Sequence, residues 1–375
     1  MQDSKIHVGW LIGLCMLPLQ VSAQVTVVSG VVALSSVDTQ VSINATVNNK
    51  GKLLHQGTLS LTGDLLNQAI YQAEAGTLRL AGENQSLTSS LLKVGELKIT
   101  NGYSKTLRGA FEVKNKLVLE NGQLLVPRES QLILGEQAFV QNSSSNSYIQ
   151  GFLYHRGTGE KFFPVGNESE YAPITLHRIE GDAPVVGVKY DPTSTQPYWN
   201  QRLLEGSYLG STVTLSFLSQ HPDYFYYPEQ LEVQASTEQG GEGISLSARS
   251  SIINQPSIII SSEAPTNLPW LTVRFAVDNA LEEVYVPNAF SPEAPDPNDQ
   301  RIRVYGRFIS LQNFRFGIQD AWGRWVYQTT SLEEAMVEGW PSTVPGSSFS
   351  QFRYILTGKF LSGASFQQSD LILKF

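Results

Sequence analysis

Apolar residues recur through the first third of the chain in short alternating runs, each opened by a turn residue or a small polar one. "GTLSL" begins at Gly57, "GTLRL" at Gly76, "GELKI" at Gly95, "NKLVL" at Asn115 and "SQLIL" at Ser130. Alternation with period two is the pattern of a strand with one buried face. The first leucines of the runs, Leu59, Leu78, Leu97, Leu117 and Leu132, lie 19, 19, 20 and 15 residues apart. A strand repeated at that period predicts a β-solenoid over residues 24–150. One coil cannot bury its own apolar face, so neighbours must stack and the five leucines should form one interior ladder. Shorter echoes, "QVSINAT" from Gln40 and "YIQGFLYH" from Tyr148, flank the series. Leucine-rich repeats have a similar period, but the asparagine and second leucine cluster they need do not recur. An antiparallel sandwich with evenly spaced strands gives the same periodicity and stays open at this point.

From Gly151 the period is lost. "PVVGVKY", "STVTLSFL", "QLEVQAS", "GISLSAR", "SIIISS" and "WLTVRFAV" are strand-like runs separated by Gly, Pro, Asn and Asp. They predict an antiparallel β-sandwich over 151–278. "VDNALEE", residues 277–283, reads as a linker, and the runs "QFRYILTGKF" and "DLILKF" place further strands in a last block, 284–375. The fold class is therefore all-β, and the low charged fraction of 16% suits short strands and turns better than helices.

The first 23 residues have a different character. Lys5 precedes the apolar run "VGWLIGLCMLPL", and "VSA" before Gln24 supplies the small residues a signal peptidase needs. Cleavage is expected after Ala23. The single cysteine, Cys15, lies in this leader, and Leu14 stands where lipidation would want a small residue. A mature chain without cysteine has no thiol chemistry and no disulfide, which fits a bacterial surface. The net charge of −8 argues against nucleic acid or an anionic membrane as partner.

Catalytic candidates are few. The histidines beyond the leader, His55, His155, His177 and His221, show no short metal-binding spacing and are expected at exposed or edge-strand positions. No nucleophile elbow, phosphate loop or dinucleotide fingerprint occurs. A solenoid glycosidase or lyase would need clustered carboxylates. Asp64, Glu74, Glu83, Glu96, Glu112, Glu120, Glu129 and Glu136 instead flank the apolar positions singly, and Glu96 and Lys98 are expected to form a cross-coil charge ladder with Arg79. The sequence thus predicts no catalytic residue. Aromatic loops offer contact candidates for a glycan or a protein: Tyr198 and Trp199 in "STQPYWN", and Tyr224, Phe225, Tyr226 and Tyr227 in "HPDYFYYPEQ". Alternation would turn about half of them inward.

The most sharply written motif lies near the C-terminus. Pro287, Asn288, Ala289, Phe290, Ser291 and Pro292 precede a loop that closes on Asn298 and Asp299, and "QDAWGRWVYQ" carries Trp322, Gly323, Val326 and Tyr327. The two prolines end a strand, Phe290 can plug one end of a small sandwich, and Gly323 suits a tight turn with Trp322 covering the core beside it. In order and spacing, residues 284–375 resemble the gliding-motility-associated C-terminal domain, the type B sorting domain of type IX secretion cargo in the Bacteroidota. Ala321 replaces the arginine of the family's hairpin, and the glycines of its Asn-Gly-Asp-Gly loop are missing. The resemblance implies a small C-terminal β-sandwich sorting domain, the type IX secretion machinery as partner, and export across the outer membrane to the cell surface or medium. Asp296, Asn298 and Asp299 are closely spaced oxygen donors of the kind calcium takes. The alternative is a proline-constrained Asx turn with no cofactor. The expected function is a structural or adhesive surface protein, with a carbohydrate-binding or polysaccharide-cleaving protein as the alternative.

Overall fold

The computed structural model describes residues 24–27, 31–34, 36–194, 196–276, 279–340 and 350–375. The expected leader, with Cys15 and the cleavage point after Ala23, lies outside them, as do residues 277 and 278 of the expected linker.

The chain is nearly all β and begins with a β-solenoid of about seven turns. One coil shows the plan. Its three sides are the strands Thr46–Asn49, Lys52–His55 and Thr58–Leu61. The first pairs in parallel with Leu65–Asn67, and the other two pair with the two halves of Ile70–Leu80. Further on, Gln85–Ile99 and Ser104–Leu119 each run round all three sides, with register shifts at the corners between Gly109 and Phe111 and between Val113 and Lys116. Parallel stacking excludes the antiparallel sandwich for this region.

Leu59, Leu78, Leu97 and Leu117 stand in direct register and are buried, as the repeat predicts. Leu132 does not continue their ladder. Leu117 is followed by Val140, whereas Leu132 stacks between Phe111 and Leu153 on the preceding side of the coil. The 15-residue step to Leu132 is too short for a full circuit of three sides.

A polar ladder occupies one corner of the interior. The Asn49 amide donates to Asn67 Oδ1 at 2.7 Å, and the Asn67 amide donates to Ser89 Oγ at 2.8 Å. Ser89 is in register with Gly109, whose N–H donates to Ser130 Oγ at 3.1 Å. Stacked asparagines satisfy one another because each amide both donates and accepts along the coil axis.

Coil pairing continues beyond residue 150, through Ile149–Gly151 and Leu153–Arg156 to Val165–Gly166. Leu153–Arg156 then pairs antiparallel with Val185–Tyr190. From there the same sheet runs on through Tyr198–Glu205, Trp270–Phe275, Leu231–Ser236 and Gly243–Ser245. A second antiparallel sheet holds Gly159–Phe163, Ile174–Glu180, Gly210–Leu218, Ser257–Ser261 and Ser250–Asn254. Trp199 and Phe217 meet between the two sheets with ring centroids 5.7 Å apart. Solenoid and sandwich thus share hydrogen-bonded backbone and one apolar core running from Val47 to Val273.

The C-terminal block has its own core, built around Phe290, Phe316, Trp340, Phe352 and Ile372. Its five-stranded sheet is ordered Ala289–Phe290, Ser365–Lys374, Gln351–Lys359, Arg315–Gln319, Trp325–Thr329, and Glu283–Tyr285 pairs separately with Tyr305–Arg307. Trp322 does not cover this core: it is 68% exposed, with the Arg324 guanidinium 4.7 Å from its ring. Gly323, at φ +79°, turns the hairpin tip, and Asp320 accepts the Trp322 and Arg324 N–H groups. The buried tryptophan of this core is Trp340. Among the described residues no helix is long and apolar enough to cross a membrane.

Candidate functional site

A concave site lies where the sandwich meets the C-terminal block, and the aromatic loop from His221 helps to build it. Pro222 pre-sets the first turn of a short helix, Pro222–Tyr226, and Pro228 opens a 3₁₀ turn, Pro228–Gln230. Asp223, in the helix's first turn, is buried. Its Oδ1 accepts the Leu311 N–H at 2.7 Å and its Oδ2 accepts the Ser310 hydroxyl at 2.6 Å. The Tyr227 hydroxyl donates to the Ile309 carbonyl at 2.8 Å. Glu282 adds a second clasp, accepting the Ser362 N–H and hydroxyl at 3.0 and 2.8 Å.

Beside these contacts opens a cleft of about 640 Å³, lined by Gln196, His221, Asp223, Arg274, Gln312 and Lys359 among others. It adjoins a second hollow of about 620 Å³, and the two share Gln196, His221, Tyr224 and Gln312. Among the described residues, His221 Nδ1 and Arg274 Nε are buried here without a hydrogen-bond partner, the former 3.7 Å from Asp223 Oδ2. Serine, histidine and aspartate come together, but not as a nucleophilic triad. Ser310 donates directly to the carboxylate, so the imidazole does not hold its proton. The other carboxylate, Glu170, accepts the Leu218 N–H at 2.9 Å and the Tyr190 hydroxyl at 2.8 Å. Each oxygen of both carboxylates already serves a protein donor, which suits anchoring better than acid–base work.

The aromatic candidates divide. Tyr198, Trp199 and Tyr224 are buried, Tyr224 with an edge on both hollows. The Trp199 indole donates to the Ala172 carbonyl at 2.8 Å, Tyr198 lies edge-on to Trp270, and Tyr224 packs against His221 and Phe275. Phe225 and Tyr227 are half-buried, and Tyr226 is exposed. Inter-sheet packing claims the bulky rings, while the loop tip leaves one outside.

Two histidines also differ from expectation, because His55 and His155 are buried. His55 bridges the Gly57 carbonyl at 3.0 Å and the Tyr71 hydroxyl at 2.8 Å, and burial holds its pKa low. His155 contacts the Phe162 carbonyl through Nε2 at 3.0 Å. Burial, with the Lys161 ammonium nearby, pushes its pKa down to about 3. His177 sits between Glu160 and Thr214 at 2.7 and 2.8 Å.

On the solenoid surface the acids answer lysines on other coils. Glu96 meets Lys116 at 2.8 Å, Glu112 meets Lys93 at 3.2 Å, Glu120 meets Lys98 at 2.6 Å and Glu74 meets Lys114 at 2.6 Å. The ladder expected of Glu96 and Lys98 forms with these partners. Arg79 stacks above Lys98 but bonds Thr100.

In the C-terminal motif, Ala289 and Phe290 pair in parallel with Leu373 and Lys374 of the last strand. Phe290 lies edge-on to Trp340 at 5.2 Å. In the acidic loop, Asp296 Oδ1 accepts the Asn298 N–H at 2.9 Å, and Asn298 Oδ1 accepts the Arg303 guanidinium at 2.8 Å. This is an Asx turn with a guanidinium on one of the three oxygens suggested for calcium. Among the described residues, no group of three or more His, Cys, Asp or Glu has a metal-binding arrangement. Comparison of the chain with protein-family models, with curated proteins and with solved structures finds no match.

Proposed function

We propose that this is an exported surface protein with a structural or adhesive role, a solenoid–sandwich body carried by a C-terminal export domain. The observation that carries the reading is the pairing of the 287–292 motif with the final strand inside a separate core. A motif paired with the strand Ser365–Lys374 around a core of its own forms a compact, self-contained unit, as an address read by a secretion machine requires. The type IX machinery is the proposed partner, on the family resemblance of residues 284–375. The continuous backbone from solenoid into sandwich supports a stiff body suited to display. The test fuses residues 284–375, behind a signal peptide, to a fluorescent reporter in a Bacteroidota host with type IX secretion. Surface fluorescence is expected, and retention in the periplasm, even with the sandwich included, would defeat the assignment.

A second reading, binding of carbohydrate, rests on the junction cleft, where amide side chains, Arg274 and Lys359 converge beside Phe275 and Phe360. A glycan array separates it from a purely structural role. A polysaccharide-degradation assay on the same ligands is expected to show binding without cleavage.

A further inference from the structure

The C-terminal sheet has a second, outward face away from its core, and that face is built around one exposed ring. Trp325 is 46% exposed. Its ring lies against Gly317 on the neighbouring strand, where a Cβ would come within 2.5 Å of Trp325 Cζ3. Only glycine lets the indole rest there. Trp325, Gln319 and Arg353 form one row across three strands. Gln328, Gly317 and Ile355 form the next row, and Arg315 pairs with Thr357 beyond it. Trp325 and the last two rows border a groove of about 690 Å³, lined by Arg315, Trp325, Gln328, Thr329, Ile355 and Thr357 among others. No carboxylate lines it. Among the described residues, Arg315 and Arg353 make no ion pair and the Trp325 indole N–H has no hydrogen-bond partner.

We propose that this face binds an acidic saccharide, with the pyranose stacked on Trp325 and its carboxylate on Arg315. A flat, partly exposed indole suits the C–H face of a sugar ring, which offers area without demanding a deep pocket. The flanking amides and hydroxyls match the alternating donors and acceptors of sugar hydroxyls. A guanidinium takes a carboxylate through two parallel hydrogen bonds, and Arg315, in a lining without carboxylates, selects for anionic over neutral sugar. The groove has the volume of a small-ligand site, typically about 300–1,000 Å³, whereas a stable protein partner needs roughly 800 Å² of contact. The site is separate from the junction cleft and does not depend on the export reading.

The experiment is calorimetric titration of the chain from Gln24 onward with a short oligogalacturonide, using its methyl-esterified form as the uncharged control. Binding to the acid form is expected, with affinity falling about tenfold for the ester and for Arg315→Gln. Trp325→Ala and Gly317→Ala, the latter displacing the ring, should each weaken binding by a similar factor while unchanged circular dichroism and melting report an intact fold. Absence of binding would overturn the proposal, as would affinity indifferent to Trp325→Ala. So would a Trp325-dependent dimer, or loss of reporter export in Trp325→Ala without saccharide binding, since each assigns the face to a protein partner.

Discussion

The backbone N–H of Phe375 donates to the carbonyl of Phe290 at 3.0 Å, so the final residue of the chain is held by the motif that opens the C-terminal domain. The Leu373 N–H reaches the Asn288 carbonyl at 2.8 Å, and Ser291 Oγ reaches the Phe375 carbonyl at 3.2 Å. Phe290 therefore serves two purposes: its backbone pins the last strand and its ring packs on Trp340. Phe290→Ala should destabilise the domain by about 3–5 kcal/mol, as large aromatic truncations in cores do. Amide exchange should accelerate along Ser365–Lys374 while the solenoid strands keep their protection. Protection unchanged in that strand would show that the pairing does not depend on the ring.

Leu97 sits in the middle of the stack, in register with Leu78 on one side and Leu117 on the other. Leu97→Asp would place an unpaired carboxylate between two leucines and should lower stability by several kcal/mol or abolish folding. Thermal melting decides it, with the surface variant Lys98→Ala as the control that should barely move.

The contrast between Leu97 and Leu132 shows what was legible in the sequence. Three near-equal steps disclosed the coil, because stacking forces equivalent residues into register. The irregular step of 15 was also a signal, since a strand on a different side of the coil shares the same local pattern. Which side a strand occupies depends on corner geometry, and period-two alternation carries no information about it. The Asn49–Asn67–Ser89 ladder has steps of 18 and 22, close to the leucine period, and could have been found by searching polar residues for the same repeat. The junction cleft was not legible: Asp223 and Ser310 are 87 residues apart and meet only through the packing of two domains. Trp322 misled for a related reason, because a ring's place in a hairpin sequence gives no sign of whether it faces the core.

Asn67 is central to the buried polar ladder, accepting from Asn49 and donating to Ser89. Asn67→Leu should lose about 1–3 kcal/mol, since a buried amide and a buried hydroxyl are left without their partner. Replacing Asn49, Asn67 and Ser89 together by apolar residues should lose less than the sum of the single losses. A double-mutant cycle showing simple additivity would mean that the three residues do not act as one network.

His155 supplies a pH dependence whose sign follows from its environment. Its folded pKa lies near 3, below its ordinary 6.5, so the unfolded chain takes up a proton that the folded one refuses. Stability is complete above 6.5 and is lost progressively as pH falls toward 3. The lowered pKa of His55 acts in the same direction. His155→Gln, which keeps a donor for the Phe162 carbonyl, should flatten the decline between pH 6.5 and the carboxylate range. Chemical denaturation across that interval measures it, and an equal slope in both proteins would place the acid sensitivity elsewhere.

Asp223 decides whether the two halves of the molecule move as one. Its carboxylate is buried and serves two donors from the C-terminal domain, the Ser310 hydroxyl and the Leu311 N–H. Asp223→Asn preserves size, yet one of its two polar atoms then donates, so it faces a donor where it should face an acceptor. Asp223→Ala removes both acceptors and leaves the two donors to water. Charge-assisted hydrogen bonds of this kind contribute about 1.5–3 kcal/mol each, and Glu282–Ser362 and Tyr227–Ile309 remain as weaker ties. The expected result is loosening without unfolding. Small-angle scattering should report a broader distribution of shapes for Asp223→Ala, while the melting of each domain's own core changes little. Binding in the junction cleft should weaken in parallel, because Gln312 and Lys359 come from one domain and His221 and Arg274 from the other. Scattering identical to that of the unmodified chain would show that the shared surface, and not this carboxylate, fixes the domain arrangement.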